Sequence, residues 1–455
     1  MVKLNEHNRE QYEKHILEVL EKGERILFRE SFLELHPTDR VDIFMKLEGD
    51  MRQRVYEYLS PEEFAEIFQG LEIDDQKEVN SEINEVYASK MFNSMPADDV
   101  AYFLTEVVDA KAENILTSMD EEEAKQVKEL LSYTPETAGA IMTKEFISIS
   151  SSQRASEVIE HLRSEGPDAE TVYYLYVVDS KNKLVGVVSL RDLIIAPPNE
   201  IVENIMSSRI VSVTVNTDQE EVAKLIKDYD FLAAPVVTDD GVLVGIVTVD
   251  DVMDIVEEEA TEDFGEFTAA KGATDVNISS FTAAKRRSPW IIMLMFFGLI
   301  TAGVIGQFEE TLEEIVLLAV FIPLIMDSAG NTGTQSLAVM VRSLATGSFE
   351  KKGLLHTIKR EFGTGIMLGL ICAVVLLIVV PILYQSFVLA FIVGVSLFLT
   401  LSIATVIGAV VPVAINKLKL DPAIASGPFI TTVNDILGLL IYFSIATALL
   451  DFLPK

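Results

Sequence analysis

Asp435 stands in the middle of the last long apolar run of this 455-residue chain, between Ala425 and Leu450. It lies about ten residues in, roughly 15 Å along a helix axis. A carboxylate at that depth of a bilayer is costly to desolvate, so it faces water or a partner. Thr431 precedes it by one helical turn and Gly438 follows it. A carboxylate beside hydroxyl and carbonyl oxygens suits a hard cation, and Mg²⁺, which sheds water reluctantly, would be held there largely hydrated. No His, Cys or Met cluster accompanies it, which disfavours soft transition metals. A second run, FIPLIMDSAGNTGTQ at 321–335, places Pro323, Asp327, Asn331 and Gln335 at four-residue spacing, on one helical face. Pro323 frees a carbonyl, which is tolerated where a helix lines protein or water. Gly330 and Gly333 permit close helix approach. Together the two runs suggest a cation path lined by Asp435, Thr431, Asn331, Asp327, Gln335 and Gly330. The plainer readings are an aspartate paired to a neighbouring helix and a small-residue seam with incidental hydrogen bonds.

A second concentration of chemistry precedes the apolar half. The run VDDVMDIVEEEATED at 249–263 is dense in carboxylates. Asp251, Asp254 and Glu258 fall on one helical face. Like charges at that spacing destabilise a helix, and a bound divalent cation would reverse this; a solvated acidic face is the bland alternative. Of 36 basic and 70 acidic residues in the whole chain, 8 and 10 lie in 289–455, leaving 28 and 60 in residues 1–288. A strongly acidic soluble part is thus joined to an almost neutral apolar one, which is why net charge −34 coexists with a mean hydropathy of +0.31. Nucleic acid is excluded as a partner, since binding it needs a basic surface. Counter-cations would relieve the acidic self-repulsion. The single cysteine, Cys372, leaves no disulfide framework or thiolate metal site. The polar N-terminus carries no cleavable signal peptide, so the acidic part is expected in the cytoplasm. No phosphate-binding Gly-x-x-x-x-Gly-Lys-[Ser/Thr] loop supports ATP-driven pumping, and no nucleophile–base constellation supports an enzyme.

The elements that must position these residues fall into four stretches. Residues 1–137 show apolar residues at helical spacing, with helix starts at Ser60-Pro61-Glu62-Glu63, Met95-Pro96 and Ser132–Glu136. Short helix pairs of this kind predict an all-α superhelical stack. Residues 138–263 repeat internally. Ile141-Met142 aligns with Ile205-Met206, and LVGVVSLRD at 184–192 aligns with LVGIVTVDD at 243–251. Each copy predicts a β-α-β-β-α unit, with strands over 173–178 and 234–237. Residues 264–288 read as a connecting segment, with a short amphipathic helix over 276–285. Five apolar spans follow, at about 289–308, 315–341, 363–384, 387–415 and 424–450. Lys285–Arg287, then Arg342, Lys351, Lys352, Lys359 and Arg360, then Lys417 and Lys419 all fall on one side of the membrane, and Glu309–Glu314 on the other. The N-terminus is therefore expected inside and the C-terminus outside a cell membrane crossed five times.

The repeated Gly-x-Val-[Ser/Thr]-x-x-Asp ending resembles tandem cystathionine-β-synthase-type (CBS) domains, an α+β pair. With the acidic helical region, the Gly-Asn-x-Gly-x-Gln segment and the Asp-Pro-Ala…Gly-Pro…Asp segment, the whole chain resembles the MgtE family of magnesium transporters or channels. That resemblance implies a multidomain protein of residues 1–137, 138–263, 264–288 (a plug helix) and an all-α transmembrane domain of five helices at 289–455. It implies a homodimer with the ion path between its membrane halves, and hydrated Mg²⁺ at Asp435. It implies Mg²⁺-sensing carboxylates at Asp251, Asp254, Glu259, Glu262 and Asp263, with Asp218, Glu220 and Asp230, and at Asp98 and Asp99 on the N-terminal side. Mg²⁺ bridging the two regions would close the path. CBS pairs bind adenosine nucleotides such as ATP: Ser189, Arg191 and Asp192 match the positions that hold ribose and phosphate, Thr248 and Asp251 match in the second copy, and Tyr174 and Phe231 would border an adenine pocket. Asp250 replaces the first copy's basic residue, and the [Ser/Thr]-x-x-Asp pair also reads as a simple helix cap. Gly427 and Thr334 stand where many relatives have Asn, and Asp327 where a small residue is usual, which leaves selectivity over Mn²⁺, Co²⁺ or Ca²⁺ open. Two other functions stay on the table: a broad divalent channel, and a membrane-anchored nucleotide sensor without ion flux.

Overall fold

The structure, a computed structural model, describes residues 3–5, 8–107, 109–166, 169–270, 278–345, 353–418 and 426–452. It divides into two compact units, Met1–Val256 and Glu257–Lys455.

The first unit opens with ten short helices from Arg9–Lys22 to Glu121–Leu130. Their starts follow the cap residues. Ser60 accepts from the Glu63 N–H while the Glu63 carboxylate accepts from the Ser60 N–H, with Pro61 at the first helical position. A polar device repeats along the stack. Arg40 donates from Nε to the Leu35 carbonyl (3.0 Å) and from Nη1 to Glu66 (2.6 Å). Twelve residues on, Arg52 does the same to Leu47 (2.8 Å) and Glu78 (2.8 Å). Each arginine satisfies a helix-end carbonyl and reaches the helix after next, so one residue both caps and staples. Fully buried Phe44, Phe64, Phe68, Phe92 and Phe103 fill the space between.

The helix start expected at Ser132–Glu136 is not one. Glu136 sits at φ +60°, in the left-handed region. Ala138 and Gly139 donate to the carbonyls of Thr217 and Val215 (2.7 and 2.9 Å). These first-turn donors have no partner within a helix and are satisfied by the second α+β copy; Met142 then turns extended and Thr143 pairs with Ile246, so only a four-residue helix, Ala138–Ile141, forms.

The repeat folds as two three-stranded sheets. The first is β1 (Ser148–Ser150), β2 (Tyr174–Val178) and β3 (Leu184–Ser189); the second is β4 (Val213–Thr214), β5 (Ala233–Val237) and β6 (Leu243–Thr248). In each the first pair is parallel and the second antiparallel. The copies exchange their leading segments: Thr143 bridges to Ile246, and Ser207 to Val187. Met142 packs over Gly245, and Met206 over Gly186; a Cβ at either glycine would lie 2.6 or 2.5 Å from the methionine sulfur. The helical stack and the second copy share one hydrophobic core, which includes Phe103, Leu130, Ala138, Met142, Val222 and Val247.

Among the described residues, the second unit holds five helices long and apolar enough to cross a membrane: Ser280–Gln307, Val316–Leu344, Leu354–Tyr384, Phe387–Lys417 and Gly427–Ala448. The fourth is the most buried of them, while the first and third turn most of their surface outward. Two starts come earlier than their apolar runs suggest. Ser279 caps the first helix, its Oγ accepting from the Thr282 N–H (3.2 Å), so Lys285–Arg287 lie within that helix and no separate helix ends at Lys285. The third begins at Leu354, nine residues before the expected 363, because its first turns carry polar residues that a hydropathy reading discounts. The helix Val249–Phe267 runs through the expected boundary at 263. Val276, Lys351, Lys352, Lys419 and the Asp421-Pro422-Ala423 segment lie outside the described residues.

Candidate ion path and acidic cluster

In the membrane unit the second helix, Ile322–Ala345, has two faces. Ile325, Ala329, Ser336, Leu337 and Met340 are buried, while Asp327, Asn331 and Gln335 are exposed. The four-residue spacing is realised directly: Asn331 Nδ2 donates to Asp327 Oδ1 at 3.0 Å. The fifth helix, Gly427–Ala448, lies against the second through their small residues. A Cβ at Gly330 would stand 2.5 Å from Thr431 Cγ2 and 3.3 Å from Asp435 Oδ1. One at Gly333 would overlap the Asn434 amide, and one at Gly408 of the fourth helix would be 2.2 Å from the Gly333 carbonyl oxygen. These glycines let three helices meet at backbone distance. The Thr334 and Thr431 hydroxyls pair at 3.2 Å. Asp435 Oδ1 is buried with no hydrogen-bond partner among the described residues, as is the whole Asn434 side-chain amide. No ion pair neutralises Asp435 among the described residues, so the reading of an aspartate paired to a neighbouring helix finds no partner there. Gly427 lies beside Thr334 and the Phe267 carbonyl, with 3.3 and 3.5 Å to a notional Cβ. Phe267 itself packs with Leu337 and Ile430.

In the first unit, Asp98 and Asp99 open the helix Ala97–Thr105, and Asp250, Asp251 and Asp254 open Val249–Phe267. The fold brings these two helix starts together, with Glu145 and Glu170 beside them. Burial, then the charges of Asp99 and Asp251, holds the Asp98 carboxyl well above the usual carboxylate range. Burial raises Asp99 to about 6, opposed by a hydrogen bond from Gln69 (2.7 Å) and reinforced by Asp251, Asp250 and Asp254. Burial raises Glu170 to about 7, with Asp250, Asp251, Glu145 and Asp99 adding to it. Burial also raises Asp251, against the hydrogen bond it accepts from the Thr248 hydroxyl (2.5 Å). Asp98 Oδ1 is buried without a hydrogen-bond partner among the described residues. All these carboxylates are hard oxygens, the chemistry that suits Mg²⁺, but among the described residues no three of them stand close enough together to hold a metal ion between them.

Other expected residues lie elsewhere. Asp218 caps the helix Gln219–Tyr229, accepting from the Glu220 N–H (2.9 Å), and Asp230 ends that helix at φ +54°. Glu259, Glu262 and Asp263 follow Val256 on the long helix, in the second unit. Ser189 caps the helix Leu190–Ile195, and its hydroxyl donates to Asp192 (2.7 Å), as Thr248 does to Asp251. Both [Ser/Thr]-x-x-Asp pairs are therefore helix caps, with Arg191 exposed beside the first. Tyr174 packs near Tyr176 and Leu243, whereas Phe231 stacks on Tyr229 (5.4 Å) against the larger core. Glu145 and Glu170 are the members that sequence spacing did not indicate. Each is a single loop carboxylate, and the Glu170 N–H donates to the Glu145 carbonyl (2.8 Å).

Comparison with known proteins defines the class. A family model described as a divalent cation transporter matches residues 322–445, one for the MgtE intracellular N domain matches 35–136, and one for the CBS domain matches 138–199 and 202–258. The chain is 43% identical over 439 residues to the magnesium transporter MgtE of Enterococcus faecalis, covering 96% of this chain and 97% of that one. It is 46% identical to the Bacillus subtilis magnesium transporter MgtE over 334 residues, 73% of this chain and 74% of that one. Two solved structures resemble the soluble part. The soluble part of a magnesium transporter aligns at TM-score 0.54 and 42% identity over 55% of this chain and 99% of that chain. The cytosolic domain of the Mg²⁺ channel MgtE in complex with ATP aligns at 0.51 and 38% over 53% and 98%. The chain belongs to the MgtE family of magnesium transporters, as a multi-pass membrane protein.

Proposed function

We propose that two copies of this chain form a Mg²⁺-selective path that closes when cytoplasmic Mg²⁺ is abundant. The observation that carries the reading is the exposed stripe Asp327, Asn331 and Gln335, flanked by Thr431 and Asp435. A polar stripe on a membrane helix cannot face lipid without cost, so it faces a second copy across water. Asp435 then holds hydrated Mg²⁺ by its carboxylate, and the ion moves down its electrochemical gradient. The first unit lies in the cytoplasm and the C-terminus outside.

Gating follows from the acidic cluster. Asp98, Asp99, Glu145, Glu170, Asp250, Asp251 and Asp254 repel one another when no cation is bound. Mg²⁺ between them favours the assembled arrangement, and the closed state must bind it more tightly than the open one. ATP binding to the CBS pair is supported by the ATP complex of the similar cytosolic domain. Ser189, Arg191 and Asp192 would meet the ribose and phosphates there.

Mg²⁺ flux into proteoliposomes tests the reading, with wild type set against Asp435→Ala and Mg²⁺ varied on the cytoplasmic face. Flux lost in the variant and suppressed by cytoplasmic Mg²⁺ in wild type is expected. Unchanged flux in Asp435→Ala would move the path elsewhere, and no wild-type flux at any Mg²⁺ level would favour a nucleotide sensor.

A further inference from the structure

The direction in which Asn331 and Gln335 face depends on the rotation of the second membrane helix about its axis. The third helix packs chiefly on the fourth and meets the second only briefly. It nevertheless contributes a buried carboxylate at that meeting. Glu361 is 5% exposed and Ser336 2%. The Ser336 hydroxyl donates to Glu361 Oε2 at 2.8 Å. The other oxygen, Oε1, accepts from Arg360 Nε (3.2 Å) and Nη2 (2.7 Å). The Arg360 side chain is more than half exposed, so the guanidinium balances the buried charge while keeping its own contact with water.

Both carboxylate oxygens are thus committed, one to a fixed charge on its own helix and one to the neighbouring helix. A hydrogen bond to an ionised group is about twice as strong as a neutral one. Ser336 is the residue after Gln335, about 100° further round the helix. A bond that holds Ser336 inward therefore holds Gln335, and Asn331 one turn away, outward. Gly365, one turn beyond Glu361, marks where the third helix lies directly against the fourth: a Cβ there would lie 2.9 Å from the Leu401 carbonyl, so this part of the third helix is seated on the fourth rather than on the second.

We propose that Glu361 is a positioning residue for ion conduction. Through Ser336 it sets the azimuth of the second membrane helix, and with it the presentation of Asn331 and Gln335 to the path. The inference rests on the proposed path, and its test separates the two. Cys372 is replaced by Ala in the full-length protein, Gln335→Cys is added, and the rate of modification by a water-soluble thiol reagent is measured in proteoliposomes. Ser336→Ala, Glu361→Ala and Glu361→Gln are then compared in that background, with Mg²⁺ flux measured in parallel on chains that keep Gln335. Ser336→Ala and Glu361→Ala should each slow labelling and lower flux about tenfold, the size of one hydrogen bond to a charged group. The two together should do no more than either alone, and Glu361→Gln, which can still accept from Ser336, should recover most of both. Labelling at the parent rate in Ser336→Ala, or losses that multiply in the double variant, overturn the positioning role while leaving the path intact. No labelling of the parent Gln335→Cys overturns the path and the proposal with it. Should Glu361→Ala fail to fold, Ser336→Ala decides alone.

Discussion

Gly330→Ala is a sharp perturbation of the proposed ion path that leaves every polar group in place. The added methyl would stand 2.5 Å from Thr431 Cγ2 and 3.3 Å from both Thr431 Cβ and Asp435 Oδ1. Carbon–carbon contact is comfortable at about 3.5–4.0 Å, so the second and fifth helices must separate by roughly 1 Å or Thr431 must change rotamer. Its hydroxyl partner, Thr334 at 3.2 Å, opposes the rotamer change. Overpacking of this kind costs about 1–3 kcal/mol. Charged against the conducting geometry, that lowers flux about 5- to 150-fold. Thr431→Ser supplies the control, because it deletes only Cγ2 and keeps the hydroxyl. The nearest contact of the new methyl then relaxes from 2.5 to 3.3 Å. The double variant should recover to within about threefold of Thr431→Ser alone, a coupling of about 1–2 kcal/mol in the cycle. The assay is Mg²⁺ uptake into proteoliposomes at fixed protein density, with thermal stability in detergent measured beside it. Wild-type flux in Gly330→Ala, or no recovery in the double variant, would refute the claim that these helices meet at Gly330.

Two further outcomes follow from the same structure. Gly408→Ala should lower the melting temperature of the full-length protein, because its Cβ would meet the Gly333 carbonyl oxygen at 2.2 Å and backbone has no rotamer to change; the cost is about 1–3 kcal/mol, and Thr431→Ser should not restore it. The acidic cluster should make the Mg²⁺-free first unit more stable as pH falls. Asp99 at about 6 and Glu170 at about 7 lie above their unfolded values, so the folded state binds protons more tightly. Stability therefore rises as pH drops through about 7 and then 6, until the unfolded carboxyls protonate near 4. With Mg²⁺ chelated, protease resistance of the loops around Asp98 and Asp250 should be higher at about pH 5.5 than at about pH 7.5. Added Mg²⁺ at the higher pH should have the same effect, and the opposite pH trend would show that the cluster is not strained.

What could be read from sequence here is what a helix turns into position by itself. Asp327, Asn331 and Gln335, or Thr431 and Asp435, need only a 3.6-residue turn to share a face, and the hydrogen bond from Asn331 to Asp327 is that turn made visible. Gly330 and Gly333 were legible as places of close approach, though not which atoms approach them. The repeat in residues 138–263 was plain from Ile141-Met142 and Ile205-Met206, but each methionine packs under the other copy's glycine, a crossing that no alignment of the copies with each other displays. Acidity alone did not show that Asp218 and Asp230 also begin and end a helix. It was silent at Glu145 and Glu170, single carboxylates in loops. The cluster they join draws on a helix start near residue 98, loops near 145 and 170, and a helix start near 250. Its repulsion is therefore a tertiary property, and this is also what would suit it to the gating proposed above. A cation held by Asp251 and Asp254 alone would stiffen one helix and report nothing. A cation that relieves the repulsion of Asp98 and Asp99 against Asp250, Asp251 and Asp254 changes the free energy of bringing two regions together. In the proposed mechanism, occupancy would become conformation only because the carboxylates come from both sides.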